Sequence, residues 1–168
     1  MLFRSIAPIY EGTTGIQAAD LVGRKLNMDN GSAMAELIDE MRSVEDRLGG
    51  SDNADLPAIR ESRAGGIHAL EEATEWVVQT IRRDPNAALA ASVNYMMLTG
   101  YVCGGWQMAR AALAARARLG SGADDGFCQT KIATARFYAE QILPKAGALL
   151  PIVRSGASTA YVLDEEQF

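Results

Sequence analysis

Hydrophobic positions in this chain recur at three and four residues, never in convincing alternation. Ile16, Ala19, Val22 and Leu26 mark a short helix over about Gly15–Asn27. Met34, Leu37, Ile38, Met41, Val44 and Leu48 mark a second, about Ala33–Leu48. Ser32 is its expected N-cap, with Glu36 just past the capping-box position, and Gly49-Gly50 stops it. Ser51–Asp55 reads as a loop. A third helix starts at Leu56-Pro57, where proline fits the first turn, and carries Ile59, Ile67, Leu70, Thr74, Val77 and Ile81 to about Arg83.

After Asp84-Pro85 a long fourth helix is predicted over Asn86–Leu119. It is apolar on more than one face, so it is expected at the centre. Gly100, Gly104 and Gly105 inside it mark expected close approaches between helices. Gly120–Gly126 is a loop. A fifth helix over Phe127–Arg154 carries Cys128, Ile132, Ala135, Ala139, Ile142, Ala146 and Leu149, and Pro144 should kink or divide it. The predicted fold is all-α: a short leading helix plus an antiparallel up-down four-helix bundle.

Composition narrows the function classes. The 168 residues hold 16 Lys plus Arg against 21 Asp plus Glu, a net charge of −5, which argues against nucleic acid or an anionic membrane as partner. Ala87–Ala115 is interrupted by Asn94, Gln107 and Arg110, so it reads as a buried helix rather than a membrane span. With no signal-peptide pattern, the expected location is cytoplasmic. Cys103 and Cys128 lack CxxC spacing and are expected as reduced core thiols. His68 is the single histidine, so no histidine-based metal site is expected. Glu71, Glu72 and Glu75 read as a solvated helix face, and Trp76 and Trp106 as core or interface.

One segment suggests chemistry. In Ile9-Tyr10-Glu11-Gly12-Thr13-Thr14 a carboxylate, a glycine and two threonines stand just before a helix. Helix starts favour anions, and glycine admits close approach of a ligand to the backbone. A carboxylate in a closed, dry pocket could serve as a base. Taken by itself the pattern is also that of a capped turn.

Tyr10-Glu11-Gly12-Thr13 followed by Gly15-Ile16-Gln17 resembles the active-site segment of the acyl-CoA dehydrogenase family. The resemblance implies that Glu11 is the catalytic base, that the backbone at Gly12 lies against the acyl-CoA substrate, and that Thr13, Thr14 and Gly15 are on the side of FAD. Many members carry a glutamine at the position of Gly15 that helps hold FAD; that side chain is absent here. The Gly form, together with Phe137-Tyr138-Ala139-Glu140, Leu143-Pro144 and the closing Leu163–Phe168, is similar to a subgroup with a long C-terminal extension that includes 3-methylmercaptopropionyl-CoA dehydrogenases.

The resemblance further implies partners: N-terminal helical and β-barrel domains missing here, electron-transfer flavoprotein as electron acceptor, and a homo-oligomer. Residues 1–28 are then an active-site loop and leading helix, and 29–168 an extension bundle. Leu2-Phe3-Arg4-Ser5 is also one reading of a common sequencing-adapter end, so residues 1–5 are expected to be an artificial start. The isolated chain is expected to be inactive. The alternative is a stand-alone helical bundle for dimerisation or adaptor use. An exposed apolar patch is expected around Ile16 and Leu21.

Overall fold

A computed structural model describes residues 13–44, 47–48, 55–119, 124–158, 162 and 165–167. Among these residues every regular element is helical, so the all-α expectation holds. The elements are α1 (Thr14–Asp20), a π turn (Leu21–Lys25), α2 (Leu26–Met28), α3 (Ser32–Arg42) and α4 (Asp55–Ile81). They continue with α5 (Pro85–Ala90), α6 (Ser92–Arg118), α7 (Asp125–Gln141), α8 (Pro144–Ser155) and a 3-10 turn at Glu165–Gln167.

α6 is the central element, packing against α4, α7, α8 and α1. Its buried positions, from Tyr95 and Leu98 to Trp106 and Ala112, recur at three and four on one broad side, while Val93, Met97 and Arg110 on the other side are exposed, so the expectation of burial on more than one face does not hold. α4 also touches α7 and α8, so these four helices share one core. The predicted second helix is not among them. α3 ends at Arg42 and packs beside α4. Its stripe nevertheless reaches the core through Ile38, Met41, Val44 and Leu48.

The predicted fourth helix is two. At Ala91 ψ opens to −10°, and its N–H is shared between the carbonyls of Ala87 and Leu89. This break lets α5 lie against the π turn while α6 runs through the core. Asp84 caps α5 by accepting from the Ala87 N–H at 3.0 Å, with Pro85 in the first turn. The predicted fifth helix divides before Pro144, which lacks an N–H. Ile142 and Leu143 instead both donate to the Tyr138 carbonyl, at 3.0 and 2.9 Å.

Leu143, at that division, is a wedge. A Cβ built on Gly66 of α4 would lie 2.9 Å from Leu143 Cδ1, and one on Gly105 of α6 would lie 3.0 Å from Cδ2. Gly104 likewise makes room for Tyr138, whose hydroxyl donates to the Tyr101 carbonyl at 3.1 Å. The expected close approach therefore holds at Gly104 and Gly105. It does not hold at Gly100, where an added Cβ meets nothing within 4 Å.

The cap of α3 also differs from expectation. Ser32 is its first residue, and its hydroxyl donates to the Asp29 carbonyl at 2.8 Å. The Asp29 carboxylate does the capping, accepting from the Gly31 and Ala33 N–H groups at 3.0 and 2.9 Å. Asn30 and Gly31 both take positive φ, 58° and 83°, and a Cβ on Gly31 would lie 3.0 Å from Val78.

Polar ties close the bundle. Arg42 pairs with Glu71 at 2.5 Å, Arg154 with Glu72 at 2.9 Å, and Arg136 with Asp55 at 2.6 Å. Of the predicted solvated glutamates, Glu71 and Glu72 are thus clamps from α4 to α3 and α8. Ser62 donates to the Ala139 carbonyl, joining α4 to α7. Arg63 is buried, and its Nη2 donates to the Met41 carbonyl at 2.7 Å.

Candidate functional site

The segment singled out in the sequence lies at the start of the leading helix. Glu11 and Gly12 fall outside the described residues. Thr13, Thr14 and Gly15 are described, adjacent and exposed. Thr13 is extended (φ −77°, ψ 142°) and is the N-cap: its hydroxyl accepts from the Ile16 N–H at 3.4 Å, and its carbonyl from the Gln17 N–H at 3.1 Å. The space beside Gly15 is open, since an added Cβ would meet nothing within 4 Å.

Three buried side chains, Ala18, Val22 and Leu26, hold this start against the bundle. Their spacing is four and four. In an α-helix four residues overshoot a turn by about 40°. The π turn, in which the Leu26 N–H bonds the Leu21 carbonyl, takes that overshoot back and keeps the three in line. The wider turn also moves the buried position upstream by one residue. Ala18 is buried where the sequence pattern gave Ala19, and Ile16 is 65% exposed. Leu21 is half-buried and packed on the core. The expected patch around Ile16 and Leu21 is therefore not one patch.

Asp20 braces the π turn. It accepts from Arg24 Nε and Nη2 at 2.5 and 2.8 Å, with Lys25 Nζ at 3.6 Å. The bond from Arg24 holds the Asp20 carboxyl below the usual carboxylate range.

Other candidate chemistry has a structural place. His68 is exposed beside Glu72 at 3.2 Å. Burial pushes the half-buried Cys103 thiol up, away from the reactive thiolate; both cysteines are free. Trp106 is core, with the Arg110 guanidinium 5.0 Å from its ring centroid. One feature had no sequence signal: Tyr95 is wholly buried and its hydroxyl lies 2.9 Å from that of Thr74. Burial pushes its pKa up to about 12. Among the described residues no group of three His, Cys, Asp or Glu side chains is placed to hold a metal, and no helix is long and apolar enough to cross a membrane.

Comparison with known proteins bears on this geometry. A family model described as "Acetyl-CoA dehydrogenase C-terminal like" matches residues 35–164. The chain belongs to this acyl-CoA dehydrogenase C-terminal family. The matched module runs from α3 to the C-terminal turn, and the leading helix stands before it.

Two relatives extend the match. The chain is 41% identical to 3-methylmercaptopropionyl-CoA dehydrogenase of Ruegeria pomeroyi over 143 residues, 85% of this chain and 24% of the relative. It is 28% identical to the broad-specificity linear acyl-CoA dehydrogenase FadE5 of Mycobacterium tuberculosis over 172 residues, 97% of this chain and 28% of the relative. The second alignment covers 97% of the 168 residues, leaving only about five outside, so it reaches Glu11. The chain spans about a quarter of the length of these curated relatives.

Proposed function

We infer that this chain is the C-terminal part of an FAD-dependent acyl-CoA dehydrogenase, carrying the base for α,β-dehydrogenation of an acyl-CoA thioester. The observation that carries the reading is the family match over residues 35–164, with Tyr10-Glu11-Gly12-Thr13 immediately before a helix docked on that module. Glu11 removes the α-proton. The Gly12 backbone lies against the acyl-CoA substrate. Thr13, Thr14 and Gly15 face the flavin, and the described geometry fits such a group: Thr13 and Thr14 are exposed and the Gly15 side is open. FAD, when bound, supplies the acceptor for the hydride leaving the β-carbon. A free glutamate has a pKa of about 4.3, and a carboxylate enclosed beside an apolar acyl chain is a stronger base than that.

The remaining partners follow from the same reading. N-terminal helical and β-barrel domains complete the flavin and substrate sites at the Thr13 end of the leading helix. Electron-transfer flavoprotein removes the electrons, and the enzyme is a cytoplasmic homo-oligomer. Dehydrogenation needs the thioester polarised and the hydride acceptor aligned together, so the chain by itself is inactive.

A graft tests this. The chain replaces the corresponding segment of the Ruegeria relative, and dehydrogenation is followed with an artificial electron acceptor. The graft is expected to turn over. Glu11→Gln should lower the rate by about 10²–10⁴-fold, the usual contribution of a positioned base, with flavin absorbance retained. Loss of flavin on Glu11→Gln, or turnover by the isolated chain with added FAD, refutes the assignment.

A further inference from the structure

The outer side of α6 is apolar as well as the inner one. Val93, Met97, Gly100 and Gly104 follow at helical spacing and so share one side of the helix, away from Tyr95, Leu98 and Val102. Val93 and Met97 are 39% and 41% exposed. The half-buried Met96 and Tyr101 flank them. No Asp, Glu, Lys or Arg occurs from Pro85 to Ala109, so this side carries no charge of its own. A helix side that meets water ordinarily carries charged and polar residues, whereas a helix apolar all round belongs to the core of a larger body.

One end of the line is roofed and the other is not. At Gly104, Tyr138 of α7 occupies the place of a Cβ, and its hydroxyl donates to the Tyr101 carbonyl at 3.1 Å. α7 then ends at Gln141, and Leu143 turns inward against Gly66 and Gly105. At Gly100, one turn nearer the start of α6, an added Cβ meets nothing within 4 Å, and Met97 and Val93 follow in the open. A mid-helix glycine costs about 1 kcal/mol relative to alanine. At Gly104 it makes room for Tyr138, but at Gly100 no described residue uses the room.

We propose that Val93, Met97 and Gly100 form the seat of an apolar segment from the part of the dehydrogenase that lies outside this chain, with Gly100 admitting its close approach. The proposal rests on the reading of this chain as the C-terminal part of such an enzyme. Two observations favour this occupant over a second copy. The chain spans 24% and 28% of the two relatives, so about three quarters of such an enzyme packs against it or beyond it. α1 and the π turn pack on α6, so chain joined ahead of Thr13 arrives beside this helix. A covalent link then holds it there at high effective concentration, which a second copy lacks.

Met97 is its own reporter, because an exposed methionine oxidises to the sulfoxide. The isolated chain and the graft into the Ruegeria relative are treated with hydrogen peroxide, and Met97 sulfoxide is followed by peptide mass spectrometry. In the isolated chain Met97 should oxidise at a rate independent of protein concentration. In the graft it should oxidise at least about tenfold more slowly. Val93→Lys changes an exposed position, so the circular dichroism of the isolated chain should stay unchanged. In the graft it puts an ammonium into the seat and should return Met97 oxidation to within about twofold of the isolated chain. Equal Met97 rates in graft and isolated chain overturn the proposal. Protection that appears in the isolated chain as its concentration rises assigns the face to a second copy and overturns it as well. Protection that survives Val93→Lys places the cover off this line, with the same result. Flavin content and turnover of the graft report the dehydrogenase reading separately: a graft that protects Met97 without turning over upholds the seat and fails that reading, and one that turns over with Met97 unprotected does the reverse.

Discussion

Leu143→Ala is the substitution to which the fold should be most sensitive. Leu143 is 1% exposed and sits between two glycines on different helices. Truncating a buried leucine costs about 2–5 kcal/mol, the larger values arising where the cavity cannot collapse. Collapse is resisted here because Gly66 and Gly105 are backbone in the middle of α4 and α6. A loss near the upper half of that range is expected. The converse change, Gly105→Ala, places its Cβ 3.0 and 3.2 Å from the two methyl groups of Leu143. It gains about 1 kcal/mol of helix propensity and loses about 1–3 kcal/mol to overpacking, because Gly66 blocks the retreat of Leu143. Gly100→Ala meets nothing and should simply stabilise by about 0.5–1 kcal/mol. Urea unfolding followed by circular dichroism reads all three. With a slope of about 1–3 kcal/mol per molar, the Leu143→Ala midpoint should fall by about 1 M or more. The double variant Leu143→Ala with Gly105→Ala should be less damaged than the sum by about 0.5–3 kcal/mol, since the new methyl fills part of the void. Additivity of the two changes within about 0.3 kcal/mol would refute the wedge.

Three further outcomes follow from the same geometry. Gly31→Ala should lower the melting temperature by roughly 2–8 °C, because alanine at φ 83° costs about 1–2 kcal/mol and its Cβ crowds Val78; an unchanged melt would mean the turn re-forms at no cost. Tyr95, at about 12 when folded against 10 when unfolded, stays protonated longer in the native state. Its stabilisation is therefore complete below pH 10 and is lost as pH rises from 10 to 12, on the order of 2–3 kcal/mol in all; Tyr95→Phe should flatten that alkaline slope, and a slope left intact would assign it elsewhere. Glu72→Gln breaks the clamp to Arg154 and should cost less than about 1 kcal/mol, fading at high salt; a salt-independent loss would make packing, not charge, the cause.

The pattern of apolar spacing was enough for helix number and core content wherever a proline or a cap fixed the boundary. Asp84-Pro85 and Pro144 mark real divisions because each proline sits at a helix start, where its missing donor costs nothing, whereas Pro151 lies inside α8 without ending it. The break at Ala91 has no such residue; it exists because α5 must meet the π turn, a tertiary demand that alanine does not announce. The same holds at the candidate site. Regular periodicity places Ala19 inside, but the π turn inserts one extra residue into the phase, so Ala18 is buried and Ile16 faces out. That single residue of phase decides that Thr13–Gly15 and Ile16 stay exposed while Leu21 and Lys25 turn to a groove against α3. The chemistry of the site was legible only as a motif at Tyr10–Thr13, because four residues before a helix specify a cap as readily as a base. What favours the base is the module behind the motif, which matches the acyl-CoA dehydrogenase C-terminal family over residues 35–164.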